Sequence, residues 1–341
     1  MARKRKINRI DYCQYILSTQ INYTLTYAAQ YKDGVSHDAY NNYLGRESLS
    51  PKLIWEHVKN EIVTHEHGYV VFDDTVLDKD YSHNIDLVRR QYSGNEKSII
   101  KGIGVVNAVY VNPQTQQSWV IDYRIYAPDM DGKSKLDHML DMLKNVIFQK
   151  RLPFYAVLMD TWYATTLVMQ KITDWGKVFY CPIKSNRLVS EIESKYHHIP
   201  VSEVIWNDQT IKNGKTIHLN GFPANSHLQL FRIETSTSRT DFIVTNEKLE
   251  LTDDAVQDEY DIRWKVEELH RELKQLTGVE KCQCRKQRKQ RNHIACAYLV
   301  WVKLKSIAYR TGKTIYQIKN NLLDSYMTQE LRNPQIKFDL A

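Results

Sequence analysis

Hydrophobic and polar positions recur with different periods along this chain, and the changes of period mark its organisation. Residues 8–66 read as helical and rich in tyrosine. SHDAYNNYL and SPKLIWEHVKNEI are two short amphipathic segments joined by GRESL. Ser36 and Ser50 are placed to cap them, and Pro51 suits the first helical position, where no N–H is needed. From Gly68 the apolar positions become continuous. GYVVFDDT ends abruptly on two carboxylates, which predicts a buried strand with an acidic exit. SIIKGIGVVNAVYV and SWVIDYRIY, split by NPQTQQ, predict a hairpin. A helix is expected near residues 133–150, then a strand at FYAVLMD ending on Asp160. A helix near residues 161–173 and a strand at KVFYCPI complete the run. The predicted order is β-β-β-α-β-α-β, with acids at the tips of the first and fourth strands.

Between residues 186 and 251 the pattern is β-like and polar, with strands expected at KNGKTIHL, LQLFRIE and DFIVTN. Helical spacing resumes at Glu259, so this stretch reads as an insertion. Two helices follow, YDIRWKVEELHRELKQ and RNHIACAYLVWVKLKSIAYR, and the tail from Gly312 is expected to be helical to Leu331. The first of these has an unusual polar face. Val266, Leu269, Leu273 and Leu276, with Ile262, form an apolar stripe. At about 100° per residue, Tyr260, Arg263, Glu267 and Lys274 share the opposite face within about 60°. A solvated face with intrahelical ion pairs gives the same spacing in many helices.

Composition narrows the choice. The 341 residues are 42% hydrophobic and 26% charged, as in soluble globular proteins. No apolar run reaches membrane-spanning length, and MARKRKINRID lacks the apolar stretch of a signal peptide. Five scattered cysteines suit a reduced, cytoplasmic protein. The net charge of +7 is concentrated: residues 261–311 hold 13 Lys and Arg against 5 Asp and Glu, leaving 34 basic and 35 acidic residues elsewhere. The densest part, KCQCRKQRKQRNH, carries Arg285, Lys286, Arg288 and Lys289, the residue types that neutralise nucleic-acid phosphates. Cys282, Cys284, His293 and Cys296 depart from the paired spacing of structural zinc sites, and His293 is expected on a helix surface near the nucleic acid.

Three carboxylates carry the candidate chemistry: Asp73 or Asp74, Asp160 and Glu267. Acids at strand tips open into the crevice where α/β sheets bind ligands. With a third acid from a helix they could hold two Mg²⁺ or Mn²⁺ ions, hard cations that prefer oxygen. A metal pair about 4 Å apart activates a hydroxyl and stabilises the leaving oxygen of a phosphodiester. If the strand continues through Asp73 and Asp74, they face opposite ways and one alone serves.

This order of Asp, Asp and Glu resembles the RNase H-like catalytic domain of DDE transposases. YDIRWKVEELHRELKQ matches the Tyr-(2)-Arg-(3)-Glu-(6)-Lys signature of bacterial insertion-sequence transposases of the cut-and-paste type. FDDTVLDK, LMDTWYAT and IKSNR are further matches. The resemblance, which spans roughly residues 70–309, implies an α/β fold with an RNase H-like core and a β-rich insertion between the second Asp and the Glu; the helical N-terminal region before it is read from its own pattern, a short helix, turn and second helix that could dock DNA. The expected segments are 1–66, helical and DNA-binding; 67–185, the first part of the core; 186–252, the insertion; 253–311, the signature and basic helices; and 312–341, the tail. Asp73, Asp160 and Glu267 become the metal-binding catalytic triad, with Asp74 the alternative first acid and the family pattern favouring Asp73. Tyr260, Arg263 and Lys274 become phosphate contacts, and Trp264 a candidate for base stacking, with Trp162, Trp206 and Phe242 no better determined. The implied activity is Mg²⁺-dependent cleavage and strand transfer on double-stranded DNA by a synaptic homodimer. The alternatives are a nuclease of the same fold without strand transfer and a retired transposase that only binds DNA.

Overall fold

The computed structural model describes residues 6–81, 84–94, 96–191, 197–223, 226–234 and 240–335; of the basic tip at residues 3–6, only Lys6 is among them. In chain order the elements open with helices α1 (Arg9–Ser18), α2 (Leu25–Gln30), α3 (His37–Arg46) and α4 (Lys52–Val58). Strands β1 (Tyr69–Asp78), β2 (Arg89–Ser93), β3 (Ser98–Val111) and β4 (Ser118–Ile125) follow. Next come α5 (Pro128–Asp131), α6 (Lys135–Asn145), β5 (Ala156–Met159), α7 (Thr166–Asp174) and β6 (Val178–Ile183). The β-rich stretch holds β7 (Leu188–Glu191), β8 (Ile199–Pro200), α8 (Asp208–Asn213), β9 (Lys215–Leu219), β10 (Leu228–Glu234) and β11 (Thr240–Thr245). Helices α9 (Asp253–Asp261), α10 (Trp264–Leu276), α11 (Gln287–Thr311), α12 (Ile315–Asn320) and α13 (Asp324–Arg332) complete the described chain.

Two compact units divide these elements. One gathers residues 1–61, 76–103 and 269–341; the other, residues 62–75 and 104–268. In the first, mainly helical unit, α1, α3 and α4 pack on α11, whose Ile294, Ala297, Trp301, Leu304 and Ala308 recur at helical spacing and are buried. Asn292, buried on the same helix, is one polar group of this core that is fully partnered. Asn292 Nδ2 donates to the carbonyls of Leu44 and Glu47, each at 2.7 Å, and its Oδ1 accepts from Leu49 N at 2.9 Å. One side chain thereby serves carbonyls that the end of α3 leaves without a helical partner. The tail is helical to Arg332, as expected.

The second unit is a mixed sheet with helices. β5 pairs in parallel with β1, Tyr69↔Ala156 to Phe72↔Met159, and with β6. β5 and the Tyr69–Phe72 part of β1 are buried on both faces, which explains their uninterrupted apolar sequences. β1 lies between β3 and β5, and β3 with β4 makes the expected hairpin. The β-rich stretch extends the same sheet: β11 pairs antiparallel with β6, followed by β10, β9, β7 and β8. Its three expected strands correspond to β9, β10 and β11.

Several boundaries differ from the pattern-based reading. β1 does not stop at its carboxylates but runs on to Asp78. Its pairing with β5 ends at Phe72, while its other neighbour, β3, is 14 residues long and can support a longer strand. β2 was not expected; its sequence RRQYS has no apolar run, and pairing with the first part of β3 makes it a strand. α7 begins at Thr166 rather than Thr161, because Asp160 holds the preceding residues in a turn. Pro51, not Ser50, stands at the cap of α4. Ser36 does precede α3, though its side chain makes no capping bond.

Candidate active site

The strand register brings two acids together. Phe72 stands opposite Met159 at the last paired step of β1 and β5, so the next residues, Asp73 and Asp160, emerge side by side. β5 ends there because Asp160 Oδ1 accepts from the backbone N–H groups of Trp162 (3.0 Å) and Tyr163 (3.2 Å) and turns the chain. Asp73 Oδ1 accepts from Asp74 N at 2.8 Å, and its Oδ2 lies 3.8 Å from Arg263 Nη1. Asp74 is held otherwise: Tyr163 Oη donates to Oδ1 at 3.0 Å, and Lys135 Nζ donates to Oδ2 at 2.5 Å. Both oxygens of Asp74 are therefore engaged, while Asp73 faces Asp160 and Arg263.

Electrostatics follow from this crowding. Burial pushes the Asp73 carboxyl well above the usual carboxylate range, and the charges of Asp160 and Asp74 push it further. Burial also raises Asp160, with Asp74 adding to the effect, against hydrogen bonds from Tyr163 and Trp162 and the charge of Arg263. Such a cluster of negative charge is stabilised by a cation.

The signature segment is not one helix. α9 ends at Asp261 and α10 starts at Trp264. Between them the backbone tightens: the N–H groups of Arg263, Lys265 and Val266 bond to the carbonyls of Tyr260, Ile262 and Arg263, each three residues back. Tyr260 thus belongs to the preceding helix, and the single-helix alignment does not hold for it. Its ring nevertheless lies beside Arg263, 5.4 Å from the guanidinium carbon. Val266, Leu269, Leu273 and Leu276 are buried as expected, whereas Ile262, in the break, is only half-buried.

Arg263 links the acids. Its Nη2 donates to Glu267 Oε1 at 2.6 Å, and its buried Nε has no hydrogen-bond partner among the described residues. Glu267 therefore meets Asp73 through a guanidinium. Among the described residues, no three of His, Cys, Asp and Glu converge closely enough to hold a metal ion as they stand. The donor set still suits a hard divalent cation: all donors are carboxylate oxygens, and the repulsion between Asp73 and Asp160 is what a cation relieves.

The other expected contacts divide. Lys274, in the helical unit, donates to Val76 O at 2.9 Å and pairs with Glu280 at 3.1 Å, so its ammonium is already occupied. Arg285, Lys286 and Arg288 are exposed, while Lys289 is half-buried and donates to Asn41 Oδ1 at 2.7 Å. His293 is not on the surface. It is 1% exposed, with Tyr12 Oη at 2.9 Å from Nδ1 and Gly278 O at 3.0 Å from Nε2. The apolar face of α11 turns inward at that position, which charge density alone did not show. Trp264 and Trp162 are half-exposed; Trp206 and Phe242 are less so.

Two residues escaped the sequence reading. Tyr163 lay within LMDTWYAT but looked apolar, and its hydroxyl proves to hold Asp74. Lys135 carried no signal beyond the Ser134–Asp137 capping box that starts α6 beside it.

Comparison with known proteins bears on this arrangement. A synaptic complex of piggyBac transposase with hairpin DNA is 11% identical, covering 98% of this chain and 75% of that one, at a TM-score of 0.47. Endonuclease V of Ciona intestinalis, in complex with DNA containing an inosine followed by a ribo-adenosine, is 12% identical, covering 64% of this chain and 96% of that one, at a TM-score of 0.31. No curated protein matches. The profile of the family described as Transposase DDE domain matches residues 70–302, more than half of the chain and the whole span from Asp73 to Glu267. The chain belongs to the transposase DDE domain family.

Proposed function

We propose that this protein is a DNA transposase that cuts phosphodiester bonds at transposon ends and joins the freed 3′ end to target DNA. Its catalytic carboxylates are Asp73, Asp160 and Glu267, on an RNase H-like core. The observation that carries this reading is the register that sets Asp73 beside Asp160, with Glu267 one guanidinium away, inside the span of the family match. The three carboxylates would hold Mg²⁺, with Mn²⁺ able to substitute. When bound, divalent metal polarises the scissile phosphate and lowers the pKa of the attacking water or hydroxyl.

The chain's own residues do the rest. Asp74 stays out of the ligand set, since Lys135 and Tyr163 occupy both its oxygens, and so fixes the loop after β5 against β1. Arg263 exchanges partners: a backbone phosphate replaces Glu267 at the guanidinium, whose Nε is already spare, and the carboxylate is released toward Asp73 and Asp160. DNA binding and assembly of the acidic centre are thereby coupled. Arg285, Lys286 and Arg288 supply further duplex phosphate contacts. A synaptic dimer would bring two such centres to paired ends.

The test separates binding from chemistry. Glu267→Gln keeps shape and hydrogen-bonding capacity but removes the charge that draws a cation. It is expected to bind transposon-end DNA in a gel-shift assay with near-normal affinity and to leave the strand uncut in Mg²⁺, while Glu268→Gln cuts normally. Loss of cutting in Glu268→Gln, with cutting retained in Glu267→Gln, would overturn the assignment.

A further inference from the structure

Cys282 and Cys284 lie in the irregular segment before α11, in the mainly helical unit, and take no part in the proposed cleavage. Both thiols are free, Cys282 buried and Cys284 half-buried. Their side chains meet, the Cys282 thiol donating to the Cys284 sulfur. We propose that Cys282 and Cys284 form a redox-active dithiol, in which a hydroperoxide oxidises the sulfur of Cys284 and Cys282 closes the disulfide. The inference goes beyond the transposase reading and does not depend on it.

Groups from three distant segments build the site. Lys289 Nζ donates to Asn41 Oδ1 at 2.7 Å, and Cys284 Sγ lies 3.9 Å from the same oxygen. The ammonium and the sulfur thus share one anchor. Lys79 Nζ donates to the carbonyls of Glu280 at 2.5 Å and Cys282 at 2.6 Å, which fixes a second, buried cation at the pair. Gln290, buried in the first turn of α11, reaches back with Nε2 to the carbonyls of Cys282 at 2.9 Å and Cys284 at 2.7 Å. One amide therefore clamps the backbone at both cysteines and holds the two sulfurs in register. The exposed Arg285 and Lys286 follow at once, so the dithiol sits at the root of the basic run.

This setting gives the two sulfurs different roles. The hydrogen bond from Cys282, foremost, and the charges of Lys289 and Lys79 lower the pKa of Cys284 against the effect of burial. The same hydrogen bond, with burial, pushes Cys282 up, so it keeps its proton. In the first step the Cys284 thiolate attacks an oxygen of the hydroperoxide. An S–O bond forms, the O–O bond breaks, and the leaving oxygen takes a proton from solvent; sulfur gives up two electrons and the peroxide receives them. In the second step the Cys282 sulfur displaces the hydroxyl of the sulfenic acid. The S–S bond forms, and the hydroxyl leaves as water with the Cys282 proton. A dithiol reductant restores both thiols by exchange. Cys13, the other half-buried thiol, faces Arg9 instead of the two lysines and serves as an internal comparison.

The test treats the fully reduced chain with stoichiometric hydrogen peroxide in EDTA, traps the remaining thiols with N-ethylmaleimide and digests with trypsin. Lys281 precedes the pair and Arg285 follows it, so one fragment, Cys282 to Arg285, carries both sulfurs. That fragment is expected to be lighter by a pair of hydrogens and free of maleimide, and to regain both thiols in dithiothreitol. In Cys282→Ser no disulfide forms and dimedone traps a sulfenic acid at Cys284; in Cys284→Ser neither product forms at Cys282. Lys289→Ala keeps both sulfurs and tests the setting without relying on either serine variant. It should slow alkylation of Cys284 by iodoacetamide at neutral pH about threefold, through a smaller thiolate fraction, while Lys289→Arg retains the rate. A fragment that stays a dithiol while Cys13 is oxidised, a sulfenic acid trapped on Cys282 in Cys284→Ser, or an alkylation rate indifferent to Lys289→Ala would overturn the site.

Discussion

Glu272 lies on the same helix as Glu267, yet its carboxylate is buried, accepting from Trp301 Nε1 at 2.8 Å and from Lys305 Nζ at 2.9 and 3.1 Å. Glu272→Gln leaves the Lys305 charge buried without its counter-charge, and breaking such a pair costs about 3–5 kcal/mol. A urea-melt comparison should show that destabilisation, whereas Glu267→Gln should lie close to the unaltered protein. Equal stabilities for Glu272→Gln and the unaltered chain would contradict the burial of this pair. Helix periodicity separated Glu272 from the Glu267 face but gave no hint of Lys305, because partners distant in sequence leave no trace in a local pattern. The two strand acids were legible for the opposite reason. Each ends an apolar run, and an abrupt change from apolar to acidic is a local signal. The choice between Asp73 and Asp74 rested on the family pattern, since Lys135 and Tyr163, which engage Asp74, come from distant segments.

At the scale of elements, the signature segment shows where periodicity stops being informative. Its apolar stripe continues through residues 262–276 with helical spacing, so the break between α9 and α10 was hidden. Turns with bonds three and four residues back carry almost the same side-chain spacing over so short a stretch. α11 hides its polar contacts in a similar way. His293 follows the basic run in sequence but points into the helical core, and burial, foremost, pushes its imidazole down to about 3. Its folded pKa is thus below its unfolded value near 6.5. The folded state takes up fewer protons between those values, so this contribution to stability is complete above about pH 6.5 and is lost as pH falls toward 3. Chemical denaturation at stepwise pH should show stability declining below about pH 6.5, and His293→Gln should flatten that part of the profile. A variant that keeps the same slope would show that His293 is not the group responsible.

For the molecule as a whole, charge distribution was the most legible property. The surplus in residues 261–311 predicted a basic surface, and Arg285, Lys286 and Arg288 are exposed, although Lys289 and Lys274 are tied to neighbouring groups. Neutralising Arg285, Lys286 and Arg288 together should weaken duplex binding and reduce its log–log salt slope by about 0.9 for each phosphate left without its cation. Lys289→Ala alone should alter the slope less. A slope indifferent to the triple substitution would make this run a solvated surface. The division into two compact units was not legible, because each is assembled from segments far apart in the chain, and the unit boundary passes through β1, β3 and α10 without a change in their sequence pattern. The central claim concerns the acids that the β1–β5 register brings together. Its most direct measurement is strand cleavage of transposon-end DNA in Mg²⁺ by Asp160→Asn, Asp73→Asn and Asp74→Asn, with DNA binding monitored in parallel. A neutral amide is a poor ligand for a hard cation. The account predicts bound but uncut DNA for Asp160→Asn and Asp73→Asn, and retained cutting for Asp74→Asn; undiminished cutting by Asp160→Asn would contradict it.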